Sequence, residues 1–174
     1  MPPLTIVPRS DWGALPPQKE IADLPKPVLK VLMTKTRTLP CNNDEECKFH
    51  IRKMQAFHMG KGFEDIAYNF IITPDAKVYE GRGWYKVAPT PVERPEFKDA
   101  ALVIAHIGDY PATDEIYRWQ VRSTMAIIDY GILNNIVDFE VRMAEMYPFV
   151  CNEGFELEDP NHKFPIVDVT DKPE

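Results

Sequence analysis

The chain has no stretch approaching the ~20 apolar residues a membrane-spanning helix needs, and no basic block able to neutralise a run of phosphates. Its first residues, Met1-Pro2-Pro3, carry neither the basic start nor the apolar stretch of a secretory leader. These absences argue against a membrane span within the sequence and against nucleic acid as a partner. They leave two settings, an intracellular protein or an extracellular ectodomain cut from its targeting segment. Cysteine is scarce, at 3 residues, which is too few for a small disulfide-built scaffold, so an apolar core must supply most of the stability. At 174 residues and 44% hydrophobic, the chain can build one such core but not two, and one domain over residues 1–174 is expected. The 20 basic and 27 acidic side chains, a net charge of −7, are spread along the chain.

What is abundant is proline, at 17 residues, and seven of these fall in residues 1–27 (Pro2, Pro3, Pro8, Pro16, Pro17, Pro25, Pro27). That segment shows no sustained period and is expected to wrap the surface as an extended arm. Val28 to Thr36 then forms a near-continuous apolar run rich in β-formers, the profile of a central strand covered on both faces. Cys41 and Cys47 stand in a polar turn where a bridge distorts no element, which favours an oxidising compartment; two free surface thiols in a cytosolic protein are the alternative. From an expected cap at Asp44, Cys47, Ile51, Met54, Phe57 and His58 recur at helical spacing until Gly60 and Gly62.

Tyr68–Thr73 and Lys77–Glu80 read as a hairpin across Pro74-Asp75, and Ala101–Ile107 as a buried strand. Thr113-Asp114 opens a long helix with Ile116, Trp119, Val121, Met125, Ile128 and Ile132 toward one side, fraying at Asn134-Asn135. Val137–Met143 supplies a last strand, and residues from about 160 to 174 read as a loosely held tail. The order implies an α/β fold, a mixed central β-sheet flanked by helices.

Several ordered segments carry a more specific signal. They are Pro8-Arg9-Ser10-Asp11-Trp12-Gly13-Ala14, the Cys41 to Cys47 spacing, Met54-Gln55-Ala56-Phe57-His58-Met59, Asp65-Ile66-Ala67-Tyr68-Asn69-Phe70, Val78-Tyr79-Glu80-Gly81-Arg82-Gly83-Trp84, and Ile107-Gly108-Asp109-Tyr110. Together, over about residues 7 to 146, they resemble the peptidoglycan recognition proteins, whose amidase-like fold is shared with bacteriophage-type amidases. Read on their own, Trp12 is a buried core cap with Arg9 held near it, and His58 is a packed core histidine. Gly81-Arg82-Gly83-Trp84 serves equally as a hairpin exit or as a groove wall for sugar or peptide.

In amidase-competent members, the resemblance implies a zinc held by a histidine at the end of the central strand, a second histidine near the last strand and a cysteine a few residues later, with a tyrosine at the Tyr68 position assisting. Three protein donors leave zinc a fourth position for a water that becomes hydroxide near neutral pH. Here the first position is Thr34, beside Lys35, whose charge would stand where the dication should sit; the second is Ala144, and the third is Asn152 or, shifted by one, Cys151. A non-catalytic member with no metal or other cofactor is therefore expected, similar to the regulatory and co-receptor members of insects, the LA-type among them.

What the resemblance implies for binding is a groove touched by Thr34, Lys35, Thr36, His58, Tyr68, Arg82, Trp84, Tyr85, Lys86 and Thr90. Peptidoglycan fragments, another recognition domain or a second copy of the chain are the expected partners. Glu93, Glu96 and Asp99 would oppose anionic stem peptides unless Lys35, Arg82, Lys86 or Arg94 compensates.

Overall fold

A computed structural model describes residues 4–150, residue 152, and the backbone of 158–159 and 162–163. The apolar run after the arm forms β2 (Val28–Lys35), whose interior residues Val31 and Leu32 are wholly buried. It lies between two parallel neighbours, β5 (Ala101–His106) and β6 (Val137–Met146). β3 (Phe70–Ile72) runs parallel to β5 and pairs antiparallel with β4 (Val78–Glu80), which confirms the hairpin. The sheet order is β1-β4-β3-β5-β2-β6. β7 (Glu158–Asp159) and β8 (His162–Lys163) pair separately. Apart from these, the expected tail and Cys151 lie outside the described residues.

The arm departs from the expectation of purely extended chain and turns. Ile6–Val7 forms β1 and adds to the sheet parallel to β4, and Arg9–Trp12 forms a single-turn helix, α1. Trp12 is fully buried and donates its indole N–H to Glu80 O at 2.8 Å. Further along, the side chains of Ile21 and Leu24 enter the interior. Scattered proline hid these elements, because no periodic pattern survives in pieces of two and four residues.

α2 (Asp44–Gly60) covers one face of the sheet. Its cap is Asn43, one residue before the expected Asp44; the Asn43 side chain accepts from Glu46 N. The Cys41–Cys47 disulfide ties the entry turn to the first turn of the helix. The buried face includes His50 and Gln55, while Phe57 is only half-buried, because α2 packs against the arm: Gln55 both accepts from Leu15 N and donates to Leu15 O.

α3 (Glu115–Leu133) covers the other face, capped by Asp114 as expected. Its buried stripe is Tyr117, Gln120, Thr124, Ile127, Ile128 and Gly131, rotated from the expected one; Trp119 is 46% and Met125 38% exposed. Polar groups win the inward positions because the sheet end presents partners for them. Gln120 donates to Ile107 O at 3.0 Å, and Thr124 Oγ1 meets His106 Nε2 at 2.8 Å.

Candidate functional site

β2 and β5 end side by side, and alternate residues of β2 point to opposite faces. Leu32 belongs to the apolar cluster under α2, so Thr34 and Thr36 share that face. Thr36 Oγ1 bonds Thr38 Oγ1 at 2.8 Å, and Thr38 Oγ1 bonds His50 Nε2 at 2.9 Å. Lys35 takes the opposite side. Its ammonium lies 5.1 Å from the Tyr117 ring centre and 4.0 Å from Asp109, so it does not place a charge beside Thr34 as the sequence implied.

Asn152 fills the space between β2, α2 and the segment before β3. Its Oδ1 lies 2.8 Å from His58 Nε2, and its Nδ2 donates to Thr36 O at 3.0 Å and to the Tyr68 hydroxyl at 3.4 Å. Ala67 N donates to His58 Nδ1, so that nitrogen carries no proton and Nε2–H donates to Asn152. Burial holds the His58 imidazole down at about 4, against the opposing pull of the Asn152 bond. Burial likewise pushes the Tyr68 phenol up to about 12. The group is neutral, closed and internally satisfied.

Ala144 stands opposite Leu32 across the β2–β6 ladder, and Met146 stands opposite Thr34. Thr34 Oγ1 has Tyr147 O at 3.4 Å as its partner. Thr34, Ala144, Tyr68 and Asn152 thus lie on the α2 face.

Beside this buried group lies a groove of about 760 Å³, within the usual range for small-ligand sites. Of the expected binding residues, Arg82 and Thr90 line it, together with Val87, Phe63 and Phe149. Thr34, Thr36, His58 and Tyr68 are buried beneath the surface. Arg82 is a clamp. Its Nε donates to Ile66 O, its Nη1 to Val87 O and its Nη2 to Glu64 at 3.2 Å, leaving it only 7% exposed. Lys86 pairs with Asp23 and borders a smaller pocket with Arg9 and Arg82.

Trp84 is not brought to the groove. It packs on the α3 side, 4.7 Å from the Phe70 ring centre and stacked on Tyr130. Tyr85 is about half exposed under the Lys26 ammonium. Of the three acidic residues expected at the rim, Asp99 lines the groove and Glu96 is paired with Arg94. The groove also draws on Ile21 and Ala22 of the arm, a contribution the sequence signalled only by apolar residues in an otherwise polar, proline-rich stretch.

Gly81, next to Arg82, has no room for a side chain. A Cβ there would sit 2.2 Å from Tyr68 O, inside the backbone bonds by which Gly81 and Arg82 hold the strand end to Asn69 and Tyr68.

No family model matches the chain. Over 107 residues it is 36% identical to peptidoglycan-recognition protein 1 of Holotrichia diomphalia, a match covering 61% of this chain and 52% of that protein. The chain spans about half the length of the first relatives it matches. With peptidoglycan-recognition protein SD of Drosophila simulans the identity is 36% over 145 residues, 75% of this chain and 74% of that one. The chain belongs to the peptidoglycan-recognition protein family.

Its fold is the family's as well. The ectodomain of the Drosophila transmembrane receptor PGRP-LCa superposes with a TM-score of 0.72 at 31% identity, covering 80% of this chain and 83% of that one. The recognition protein LE, solved in complex with tracheal cytotoxin, a monomeric diaminopimelic acid-type peptidoglycan, superposes at 0.73 with 29% identity, covering 80% and 81%. An N-acetylmuramoyl-L-alanine amidase of Sus scrofa is 31% identical over 144 residues, 75% of this chain and 24% of that protein. Receptors and an enzyme thus both stand among the relatives.

At the three positions that the sequence resemblance assigns to a zinc, the residues present do not suit one. Thr34 offers a neutral hydroxyl, Ala144 offers nothing, and Asn152 offers a carboxamide whose oxygen and nitrogen are already engaged. Among the described residues no cluster of three or more histidine, cysteine, aspartate or glutamate side chains stands ready to hold a metal elsewhere. No helix among them is long and apolar enough to cross a membrane.

Proposed function

We propose that residues 1–174 form a non-catalytic peptidoglycan-recognition domain that works outside the cell as a sensor, co-receptor or regulator of innate immunity. The observation that carries this reading is the chemistry of three positions, Thr34, Ala144 and Asn152. Where the family's amidases need histidine and thiolate donors, this chain has built a closed hydrogen-bond group around Asn152. The groove beside that group keeps the volume of a ligand site, and the similar LE protein holds a peptidoglycan fragment.

Calorimetric titration with muropeptides of both lysine and diaminopimelate type tests the reading. Saturable binding, abolished by filling the groove with Thr90→Trp, and no release of stem peptide are expected. Stoichiometric zinc together with cleavage of the lactyl amide would overturn the non-catalytic assignment.

A second reading, a module that captures another recognition domain instead of peptidoglycan, is favoured by Arg82. The guanidinium that borders the groove commits its donors to Ile66 O, Val87 O and Glu64 and has little left for an anionic stem. Absence of heat at millimolar muropeptide would select this second reading.

A further inference from the structure

β6 ends the sheet, and among the described residues no strand pairs with its outer edge. It is also long, and it carries exposed apolar residues where edge strands are usually blunted: Phe139 is 77% and Met143 36% exposed. We infer that this edge is a self-complementary docking surface for a second copy of the chain, joined antiparallel about Val141 into one sheet running through both copies.

The register follows from which residues share a face. Val137 and Val141 pack into the α3-side cluster, and Glu145 accepts from the Tyr117 hydroxyl of α3. Ala144 and Met146 pack against the α2-side cluster, so odd-numbered residues of β6 face α3 and even-numbered ones face α2. A two-fold axis perpendicular to the sheet preserves faces and must pass between two copies of one residue. Centred on Val141, the pairing sets Phe139 opposite Met143 of the partner subunit twice over, with the two Val141 side chains between. On the other face it sets Glu140 opposite Arg142 of the partner subunit, also twice.

Every neighbouring centre is worse. On Glu140 or Arg142, a charge meets its own copy. On Phe139, Asp138 meets Glu140; on Met143, Arg142 meets Ala144 and Glu140 meets Met146, so no opposite charges pair. Cross-strand pairs of opposite charge and of apolar groups stabilise antiparallel sheets, whereas like charges directly opposed destabilise them. The ladder between β2 and β6 passes from Val28 opposite Val137 directly to Lys30 opposite Arg142, and Glu140 N donates to Asp138 Oδ1, so the dimer sheet is centred on an irregular stretch of β6.

This inference does not depend on what the groove binds, and its test contains no muropeptide. Sedimentation velocity of the chain, from micromolar to near-millimolar concentration at physiological salt, should show a reversible monomer–dimer equilibrium. Glu140→Arg and Arg142→Glu each turn both symmetry-related ion pairs into repulsions, and each should weaken the dimer at least about tenfold. Both sites are exposed, and circular dichroism verifies that the fold is kept. An equimolar mixture of the two variants should associate again, because a chain basic at both positions then meets one that is acidic at both. A wild-type chain that stays monomeric throughout overturns the proposal. So does a dimer indifferent to both reversals, or a mixture that fails to recover.

Discussion

Asn152 shows how one residue can satisfy several buried polar groups at once. A carboxamide offers an acceptor and a two-proton donor on one rigid plane, which is what the His58 N–H on one side and the Thr36 carbonyl and Tyr68 hydroxyl on the other require. Removing it strands buried polar groups, and the cost of a stranded group exceeds the net value of the bond it made. Asn152→Leu should therefore destabilise the fold by about 2–3 kcal/mol. Thr34→Val, which gives up a single 3.4 Å contact, should cost less than about 1 kcal/mol. Urea unfolding of the two variants side by side checks the ordering.

α3 is held by the fit of its buried stripe as much as by burial. Gly131 faces the first residue of β6 and the Trp84 ring, and a Cβ there would lie 2.5 Å from Val137 Cγ2 and 3.1 Å from Trp84 Cζ3. Alanine in a helix interior gains roughly 1 kcal/mol over glycine, whereas overpacking typically costs about 1–3 kcal/mol. Valine is branched at Cβ, and Trp84 is wedged between Phe70 and Tyr130, so neither neighbour yields easily. Gly131→Ala should lower the melting temperature despite its better propensity, and a raised value would show that the helix can shift outward.

This contact also explains why the expected apolar stripe of α3 was turned. Helical period is legible in a sequence, but the face that wins depends on partners from other elements, here the carbonyls that meet Gln120 and the imidazole that meets Thr124.

At the scale of the whole molecule, three histidines among the described residues lie buried on the two sides of the sheet. Burial holds His50 down to about 3 and His58 and His106 down to about 4. Folded-state values below the ordinary 6.5 mean that the unfolded chain takes up protons first as the pH falls. The stability due to their neutrality is complete above about pH 6.5 and is lost progressively toward about pH 4 for His58 and His106 and about pH 3 for His50. For His58 alone the loss between about pH 7 and pH 5 is on the order of 2 kcal/mol. Unfolding free energies measured across that range should fall steeply with acid, with unfolding near the acid end accompanied by net proton uptake.

Much of this architecture was legible because β2, the hairpin and α2 announce themselves by period and punctuation. The placements of Lys35 and Trp84 were not legible that way. The side each takes is set by strand parity and by the Phe70–Tyr130 cleft, which only the assembled sheet defines. The arm was hidden for the same reason, since its pairing partners lie some seventy residues downstream.

The position of β2 between β5 and β6 has a consequence for biosynthesis. This central strand leaves the ribosome first among the long elements, yet its neighbours end at His106 and Met146. At roughly 5–20 residues per second, Val31 and Leu32 wait several seconds for one partner strand and longer for the other. During that interval the nascent chain carries a bare hydrophobic segment, and slower translation should lengthen its exposure.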